Sequence, residues 1–446
     1  MNAAEKHYQK MTVTPIPRLI LQLGIPTAVS MLITSIYNMA DTYFVGMIGP
    51  SAQAATGVMF TLQSIIQGIG VMLGQGSGTF VSKHLADRDV QRASEYISTS
   101  FFYGLGIGSF FAGICLLFLS PLVRILGSTE TIAPHAMNYG FWILLSCPFI
   151  MCSLILNTGL RFEGKAFYAM FALASGGILN IFGDYLLVYK LQMGIYGAGL
   201  ATAISQVFSF IFLMIFFFRM AQSKIRFSYI AKGPHCIFQI LRVGFPSFVR
   251  QSLNSVTHGI LNNLTKPFGD AAIAAMSVVN RYSMFLMCVG LGIGQGFQPV
   301  ASFNYQAKKY DRVKKGLKFT IIFNFLFVGT VSVISLICAE PIISVFQKRP
   351  EVITIGAAAL RFAAIGMLFM PVSVPINMLY QSIQKTTMAT FLSLLRAGGI
   401  TIPLLLIFTP LFGLTGVMIS QPTADVITGL ISLWLTFIFL RSDPGN

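Results

Sequence analysis

The chain has 446 residues, of which 55% are hydrophobic and only 10% are charged, and its mean hydropathy is +0.74. In ordinary soluble domains about a quarter of the residues are charged, so this composition excludes a soluble globular protein. The formal net charge of +16 would suit a nucleic-acid-binding protein, but the placement of the basic residues, given below, argues against one.

Apolar stretches of about 20 residues or more recur along the whole chain, and each is long enough for a tilted helix across a bilayer. The residues before the first stretch carry charges and prolines without a short apolar core and cleavage site, so we expect no removable signal peptide. The sequence predicts twelve spans, at 18–47, 54–81, 95–120, 131–160, 166–189, 195–219, 238–264, 274–303, 316–345, 353–382, 387–410 and 415–440.

Basic residues are distributed unevenly between the predicted loops. Loops on the side of both termini hold 21 lysines and arginines, whereas the opposite loops hold 5. The positive-inside rule therefore predicts a protein of the cell membrane with both termini in the cytoplasm. The basicity is explained by membrane topology, and nucleic acid is not expected as a partner.

The six cysteines lie in or beside apolar segments and lack CxxC spacing. This pattern favours neither a zinc site nor a disulfide framework. We expect no bound metal and no cofactor.

The chain contains an internal repeat, because one offset of 220 residues aligns its two halves. At this offset the segment 20–26 matches 240–246, and the segment Gly74-Gln75-Gly76 matches Gly294-Gln295-Gly296. Six spans per half is an even number, so the halves form a parallel repeat. The predicted fold is an all-α polytopic membrane protein with two pseudo-symmetric six-helix lobes around a central cavity.

This repeat predicts an N-lobe at 1–220, a cytoplasmic linker at 221–237 and a C-lobe at 238–446. Duplicated bundles in membranes are typical of transporters that work by alternating access, in which one lobe rocks against the other. A purely structural scaffold is the alternative.

Three acids fall well inside predicted spans, namely Asp41, Asp184 and Asp425. From a helical rise of about 1.5 Å per residue, Asp41, Asp184 and Thr202 reach similar depths in the outer half of the N-lobe. Asn180 lies one helical turn from Asp184. Because buried like charges are costly, such a group suits a proton or a cation, whereas hydrogen bonding within the helix bundle is the structural alternative.

Other polar and proline positions give further hypotheses. Tyr37 lies one turn from Asp41 and belongs beside the predicted ion site. Pro26 interrupts the first span, where it acts either as a hinge or in simple packing. In the C-lobe, Asp425 and Arg396 have similar depths, so we expect a polar pair with either a structural or a functional role.

The residues also carry a family pattern. The most specific stretch is GQGFQPVASFNYQAKKYDRV at 294–313, supported by Gly24-Ile25-Pro26, by RFEG at 161–164 and by GIYGAGLAT at 194–202. The chain resembles the multidrug and toxic compound extrusion (MATE) family, and over its whole length it is most similar to the MepA-like branch.

The resemblance implies a secondary active antiporter that exports amphipathic and cationic drugs in exchange for H⁺ or Na⁺, acting as a monomer and not as an enzyme. By residue-by-residue comparison, it places Asp41, Asn180, Asp184 and Thr202 at the N-lobe ion site. Tyr37 lies beside that site, and Pro26 occupies the bend of the first helix. Span 7 has Asn254 and no acid where another branch carries a glutamate, which favours an N-lobe, proton-coupled mechanism.

Three alternatives remain open at this stage. A major-facilitator transporter would share the twelve spans, and a lipid-linked precursor flippase would share the superfamily but favour a basic cavity. A membrane-embedded enzyme would need a nucleophile or metal motif, and the sequence presents none.

Overall fold

The computed structural model describes residues 3–442, and every regular element in that part of the chain is helical. Three π-helical turns, at Tyr185–Lys190, Phe325–Gly329 and Leu395–Gly399, interrupt or extend the α-helices. The α-helices in chain order are α1 Ala3–Val13, α2 Ile16–Ile48, α3 Pro50–Ala86, α4 Val90–Leu117, α5 Leu119–Ile125, α6 Ala133–Phe162, α7 Ala166–Asp184, α8 Gly194–Met220, α9 Pro234–Thr265, α10 Asp270–Gln306, α11 Tyr310–Asn324, α12 Thr330–Ile337, α13 Ala339–Phe346, α14 Pro350–Met367, α15 Met370–Ser382, α16 Thr386–Leu394, α17 Thr401–Phe412 and α18 Leu414–Arg441.

The all-helical, polytopic fold predicted from the sequence is confirmed. Eleven helical segments among the described residues are long and apolar enough to cross a membrane. The seventh predicted span corresponds to α9, which has 32 residues and is therefore long enough, but is more polar than the others. Arg250, Asn254 and His258 account for part of that polarity.

Two predicted spans extend beyond the end of the corresponding helix in the structure. The span at 353–382 is two helices, because α14 ends at Met367 and α15 begins at Met370. Pro371 lies in the first turn of α15, where its missing N–H is tolerated, and it prevents a continuous helix. The span at 316–345 ends at Ile337 and is followed by the separate helix α13. The N-terminal helix α1 was not predicted.

The chain divides into two compact units that exchange short segments. Unit 1 comprises residues 1–9 and 29–248, and unit 2 comprises 10–28 and 249–446. The predicted lobes differ from these units at 10–28 and at 238–248. In α2 and in α9 the chain passes from one unit to the other two residues after an internal proline, Pro26 or Pro246.

Glycine contacts explain why the first part of α9 belongs to unit 1. A Cβ atom at Gly76 in α3 would overlap the carbonyl oxygen of Ile240, and one at Gly244 would overlap the carbonyl oxygen of Met72. The backbones of α3 and α9 therefore touch directly. Small residues permit such close approach, which is a main source of helix association inside membranes.

The same contact recurs within unit 2. A Cβ atom at Gly292 in α10 would overlap Ala28, and one at Gly296 would overlap the backbone of Gly24. These positions are the 220-residue counterparts of the glycine contact in unit 1. The repeated Gly-Gln-Gly segment thus allows close helix packing in both units. In unit 2, its second copy packs against the first part of α2.

The linker after α8 is fastened to unit 1 by buried polar groups. Glu163, which directly follows α6, is fully buried and accepts hydrogen bonds from the backbone N–H groups of Gln222 and Ser223 and from the Ser223 hydroxyl. Burial raises the pKa of Glu163, and the hydrogen bonds from Ser223 and Gln222 act in the opposite direction. The linker donors therefore help to keep this acid charged inside the protein.

Hydroxyl groups of α4 bind the next part of the linker. The backbone N–H groups of Lys224 and Arg226 donate to the Ser94 and Ser98 hydroxyls at 2.9 and 3.2 Å. The Ser98 hydroxyl also donates to the Lys224 carbonyl oxygen at 3.0 Å. The segment predicted as a cytoplasmic linker is thus held against α4 and the end of α6 at its N-terminal end.

We expect Gly244→Ala to destabilise the protein by about 1–3 kcal/mol or more, because the added methyl group meets backbone atoms that cannot rotate away. Gly259→Ala in the same helix is the matched control, since a Cβ atom there meets nothing within 4 Å. Thermal unfolding of the purified variants in detergent measures both. Equal midpoints for the two variants would show that the α3–α9 contact does not limit stability.

We expect Glu163→Ala to loosen the linker, because three donors lose their acceptor and the two buried donors of Ser223 are left unsatisfied, at a cost of about 1–3 kcal/mol each. Trypsin cleavage after Lys224 and Arg226 should become faster. Glu340→Ala is the control, because Glu340 forms an exposed ion pair with Arg361 that contributes little. Cleavage at the wild-type rate in Glu163→Ala would contradict this account of the linker.

Candidate ion site in unit 1

The predicted ion-site residues of α7 lie at the point where its geometry changes. Asn180 and Asp184 occupy the last turn of α7, and the π-helical turn begins at Tyr185, directly after the acid. Single π-helical turns widen a helix locally and are frequent at functional sites. Asp184 is fully buried and Asn180 is 1% exposed.

Close packing of α7 against α8 and α2 positions these side chains. A Cβ atom at Gly176 would overlap the Ser209 hydroxyl of α8. A Cβ atom at Gly177 would lie 3.1 Å from the ring of Tyr37 in α2. Small residues on α7 thus let both neighbouring helices approach closely.

Thr202 in α8 forms a hydrogen bond with the side-chain amide of Asn180 in α7. The Asn180 Nδ2 group donates to Thr202 Oγ1 at 3.3 Å, and Thr202 is 8% exposed. This contact joins two residues that the sequence assigned to the ion site.

Asp41 in α2 contacts a residue that the sequence analysis did not single out. The Tyr139 hydroxyl in α6 donates to Asp41 Oδ2 at 3.4 Å. Tyr139 is 3% exposed and also interacts with the side chains of Thr202 and Gln63. Tyr139 is one of 15 tyrosines in the chain, and nothing in its sequence spacing distinguishes it from the others.

The site is rich in oxygen atoms that lack donors. In the described part of the chain, both carboxylate oxygens of Asp184, Oδ1 of Asp41 and Oδ1 of Asn180 are buried and receive no hydrogen bond. The charges of Asp41 and Asp184 also repel one another. Buried acceptors without donors are costly, so this arrangement favours a proton or a small cation among these oxygens.

Other predicted residues occupy different places. Tyr37 interacts with Asp41, and its side chain forms a hydrogen bond with Gln206. Pro26 lies in the part of α2 that belongs to unit 2. Asp425 and Arg396 form an ion pair in unit 2, with Arg396 Nε 3.7 Å from Asp425 Oδ1.

The fold and the buried acids define a multi-pass helical membrane protein built from a duplicated unit. The MatE family model matches residues 26–186 and residues 246–407, two segments that begin at Pro26 and Pro246. The chain belongs to this family. This confirms the resemblance that the motifs indicated, and it excludes the alternative of a major-facilitator transporter.

Individual relatives agree with this assignment. The chain is 25% identical over 421 residues to the multidrug export protein MepA of Staphylococcus saprophyticus, covering 94% of this chain and 93% of the relative. It is 25% identical over 431 residues to MepA of Staphylococcus aureus strain MSSA476, covering 95% and 94%.

Solved structures show the same fold. A MATE transporter of the MOP superfamily in an outward-facing conformation superposes with a TM-score of 0.91 at 23% identity, over 98% of both chains. A MOP superfamily transporter from Pyrococcus furiosus, described as having a binding pocket of reverse polarity, superposes with a TM-score of 0.90 at 23% identity over 98% of both chains. At this identity the likeness concerns the fold alone.

We expect Thr202→Val to lower stability by about 1 kcal/mol, because the shape of the side chain is kept while the Asn180 amide loses its acceptor. Thr202→Ser retains the hydroxyl and serves as the matched control. Thermal unfolding in detergent measures the difference. A Val variant as stable as the Ser variant would show that the Asn180–Thr202 bond does not hold α7 to α8.

Proposed function

We propose that the chain is a secondary active multidrug antiporter of the cell membrane. It exports amphipathic, cationic organic compounds in exchange for H⁺, or for Na⁺, bound among Asp41, Asn180, Asp184 and Thr202 in unit 1. Membership of the MatE family and the similarity to staphylococcal multidrug export proteins support the transport class.

One observation carries the ion-coupling part of the proposal. Both carboxylate oxygens of Asp184, Oδ1 of Asp41 and Oδ1 of Asn180 are buried in a packed helix bundle and accept no hydrogen bond from the described residues. Packing alone would be better served by apolar side chains of similar size. Acids at this depth in a membrane protein mark a pathway for protons or ions.

The chemistry of the site suggests how an ion changes it. A proton on one carboxyl group removes the repulsion between Asp41 and Asp184 and converts an acceptor into a donor for a neighbouring oxygen. A sodium ion would neutralise the same charges by binding the oxygens directly. In either case Tyr139 holds Asp41 in place, and Thr202 holds Asn180.

Coupling requires that the ion and the drug stabilise different states. An ion that binds one conformation more tightly shifts the population toward it by its differential affinity, and the drug must favour the other conformation or compete for the site. The two repeats supply the units for such alternating access. We further propose that the protein acts as a monomer with both termini in the cytoplasm, on the basis of the loop charges.

The test is drug efflux from membrane vesicles under separately imposed pH and sodium gradients. We expect one gradient to drive export by the wild type, and Asp184→Asn and Asp41→Asn to reduce gradient-driven export at least about tenfold, because an amide neither takes up a proton nor carries a charge to the ion.

Asp270→Asn is the control, since Asp270 is an exposed acid at the start of α10 and should leave export unchanged. Wild-type export rates in both site variants would refute the ion site. Translocation of lipid-linked precursors, with no drug export under either gradient, would favour the flippase alternative.

A further inference from the structure

An open, largely apolar groove lies between the linker and α4 in unit 1. Its volume is about 700 Å³, and it is lined by residues of α4 between Phe102 and Phe110 and by Phe227 and Ile230 of the linker. Phe227 and Phe110 are 77% and 71% exposed. The described part of the chain therefore leaves both walls of the groove accessible to a ligand.

The linker wall of the groove is held in place by hydrogen bonds at both ends. Its N-terminal end is bound to α4 through the serine hydroxyls described above, and the backbone N–H of Ala231 donates to Thr99 Oγ1 at 3.0 Å. Between these contacts lies a 3₁₀ turn, Phe227–Tyr229. The ring of Phe227 meets the ring of Phe102 edge to face, with centroids 5.4 Å apart. The groove is thus a built feature of the folded unit.

A glycine of α4 forms the floor of the groove. Ser98, Phe102, Gly106 and Ser109 follow one another at spacings of four, four and three residues, so they share one face of the helix. A Cβ atom at Gly106 would meet nothing within 4 Å. At the 220-residue offset the corresponding residue is Leu326, so the second repeat carries a large side chain where the groove has none.

The linker beside the groove carries positive charge. Residues 221–237 contain Lys224, Arg226 and Lys232 and no acid. Lys224 and Arg226 are exposed, and neither takes part in the ion pairs found within residues 3–442. The nearby acids face elsewhere, because Glu163 is buried under the start of the linker and Glu95 interacts with Tyr96 and Cys236. This end of the groove therefore suits an anionic group.

The charged and apolar parts follow the profile of one membrane leaflet. From Phe102 to Phe110 the helix rises about 12 Å, which is close to the roughly 15 Å that one leaflet contributes to the hydrocarbon core. The backbones of Lys224 and Arg226 are bound one and two turns nearer to the start of α4. Their side chains thus lie at the level of a headgroup when the groove lies at the level of an acyl chain.

We propose that this groove binds a phospholipid with an anionic headgroup. The acyl chain lies over Gly106 between the aromatic rings, and the phosphate is bound by Arg226 and Lys224, since guanidinium groups grip phosphate with paired hydrogen bonds and lysine adds a point charge. In the proposed orientation the lipid belongs to the cytoplasmic leaflet. The inference goes beyond drug export, because the lipid is bound without drug or ion gradient.

The test compares phosphatidylglycerol with phosphatidylcholine of the same acyl chains, using native mass spectrometry of the purified protein in detergent. We expect the first bound phosphatidylglycerol to be held about tenfold more tightly, because each basic residue near a membrane surface contributes about a factor of five toward an anionic lipid. A phosphatidylglycerol with a diazirine in its acyl chain should crosslink to 102–110 and to 227–230.

The double variant Lys224→Gln with Arg226→Gln tests the headgroup. It should lower the affinity for phosphatidylglycerol about tenfold and leave phosphatidylcholine unchanged. Lys315→Gln with Lys318→Gln is the matched control, because it removes two exposed charges from α11, at the start of a helix on the same predicted side of the membrane, and should keep the preference.

Gly106→Leu tests the groove, because the side chain occupies the space of the acyl chain without meeting protein atoms. It should abolish the crosslinks and lower the affinity for both lipids about tenfold. Gly113→Leu is the matched control, since Gly113 is an exposed glycine of the same helix, has equally open space at Cβ and lies outside the groove. Unfolding midpoints without lipid verify that all variants are folded.

Four results would overturn the proposal: equal wild-type affinities for the two lipids, equal effects of the two double variants, equal effects of the two leucine variants, or crosslinks spread over helices remote from α4. Displacement of the lipid from the groove by ethidium, with no dependence on the headgroup, would also overturn it, in favour of a site for drugs. A failure of the antiport proposal would appear only in the vesicle assay and would leave these results unchanged.

Discussion

Direct contact between helix backbones is the constraint on which this fold depends. Gly76 and Gly244 bring α3 and α9 together in unit 1, and Gly296 and Gly24 bring α10 and α2 together in unit 2. In a bilayer, apolar side chains gain little from leaving lipid, so close packing at small residues must supply much of the association energy. These contacts also determine which unit each half of α2 and α9 joins, because the chain changes unit just after the prolines that follow the glycines.

Much of this architecture could be predicted from the sequence, because it rests on hydropathy and on repetition. Helices across a bilayer need long apolar segments, and duplicated glycines at one offset expose the repeat. The exchange of segments was missed, since hydropathy places 1–220 in one lobe and carries no information about which helix a glycine touches. The break before Pro371 was missed for a related reason: an apolar run continues through it.

The acids of the candidate ion site could be singled out from the sequence, whereas the residues that contact them could not. An acid in an apolar segment is conspicuous, so Asp41 and Asp184 could be assigned by depth. Tyr139 and Gln63 are polar residues of types that occur throughout the chain. Only the packing of α6 and α3 brings Tyr139 to Asp41 and Thr202, and Gln63 to Tyr139. The π-helical turn after Asp184 has no simple sequence signature either, because Tyr185 and its neighbours are ordinary helix residues.

The two repeats share their packing and differ in their chemistry, which separates what the fold requires from what the activity requires. The glycines at the helix crossings recur at a 220-residue spacing, as expected of a steric requirement that a repeat cannot relax. The charged residues do not recur: Asn180 and Asp184 correspond to Ile400 and Leu404, and Arg396 corresponds to Gly176. Since Ile400 and Leu404 occupy the positions equivalent to Asn180 and Asp184 in the opposite repeat, the packing of this helix does not by itself require an amide and an acid there. We therefore expect a proton or a cation to offset the cost of the buried acids in unit 1.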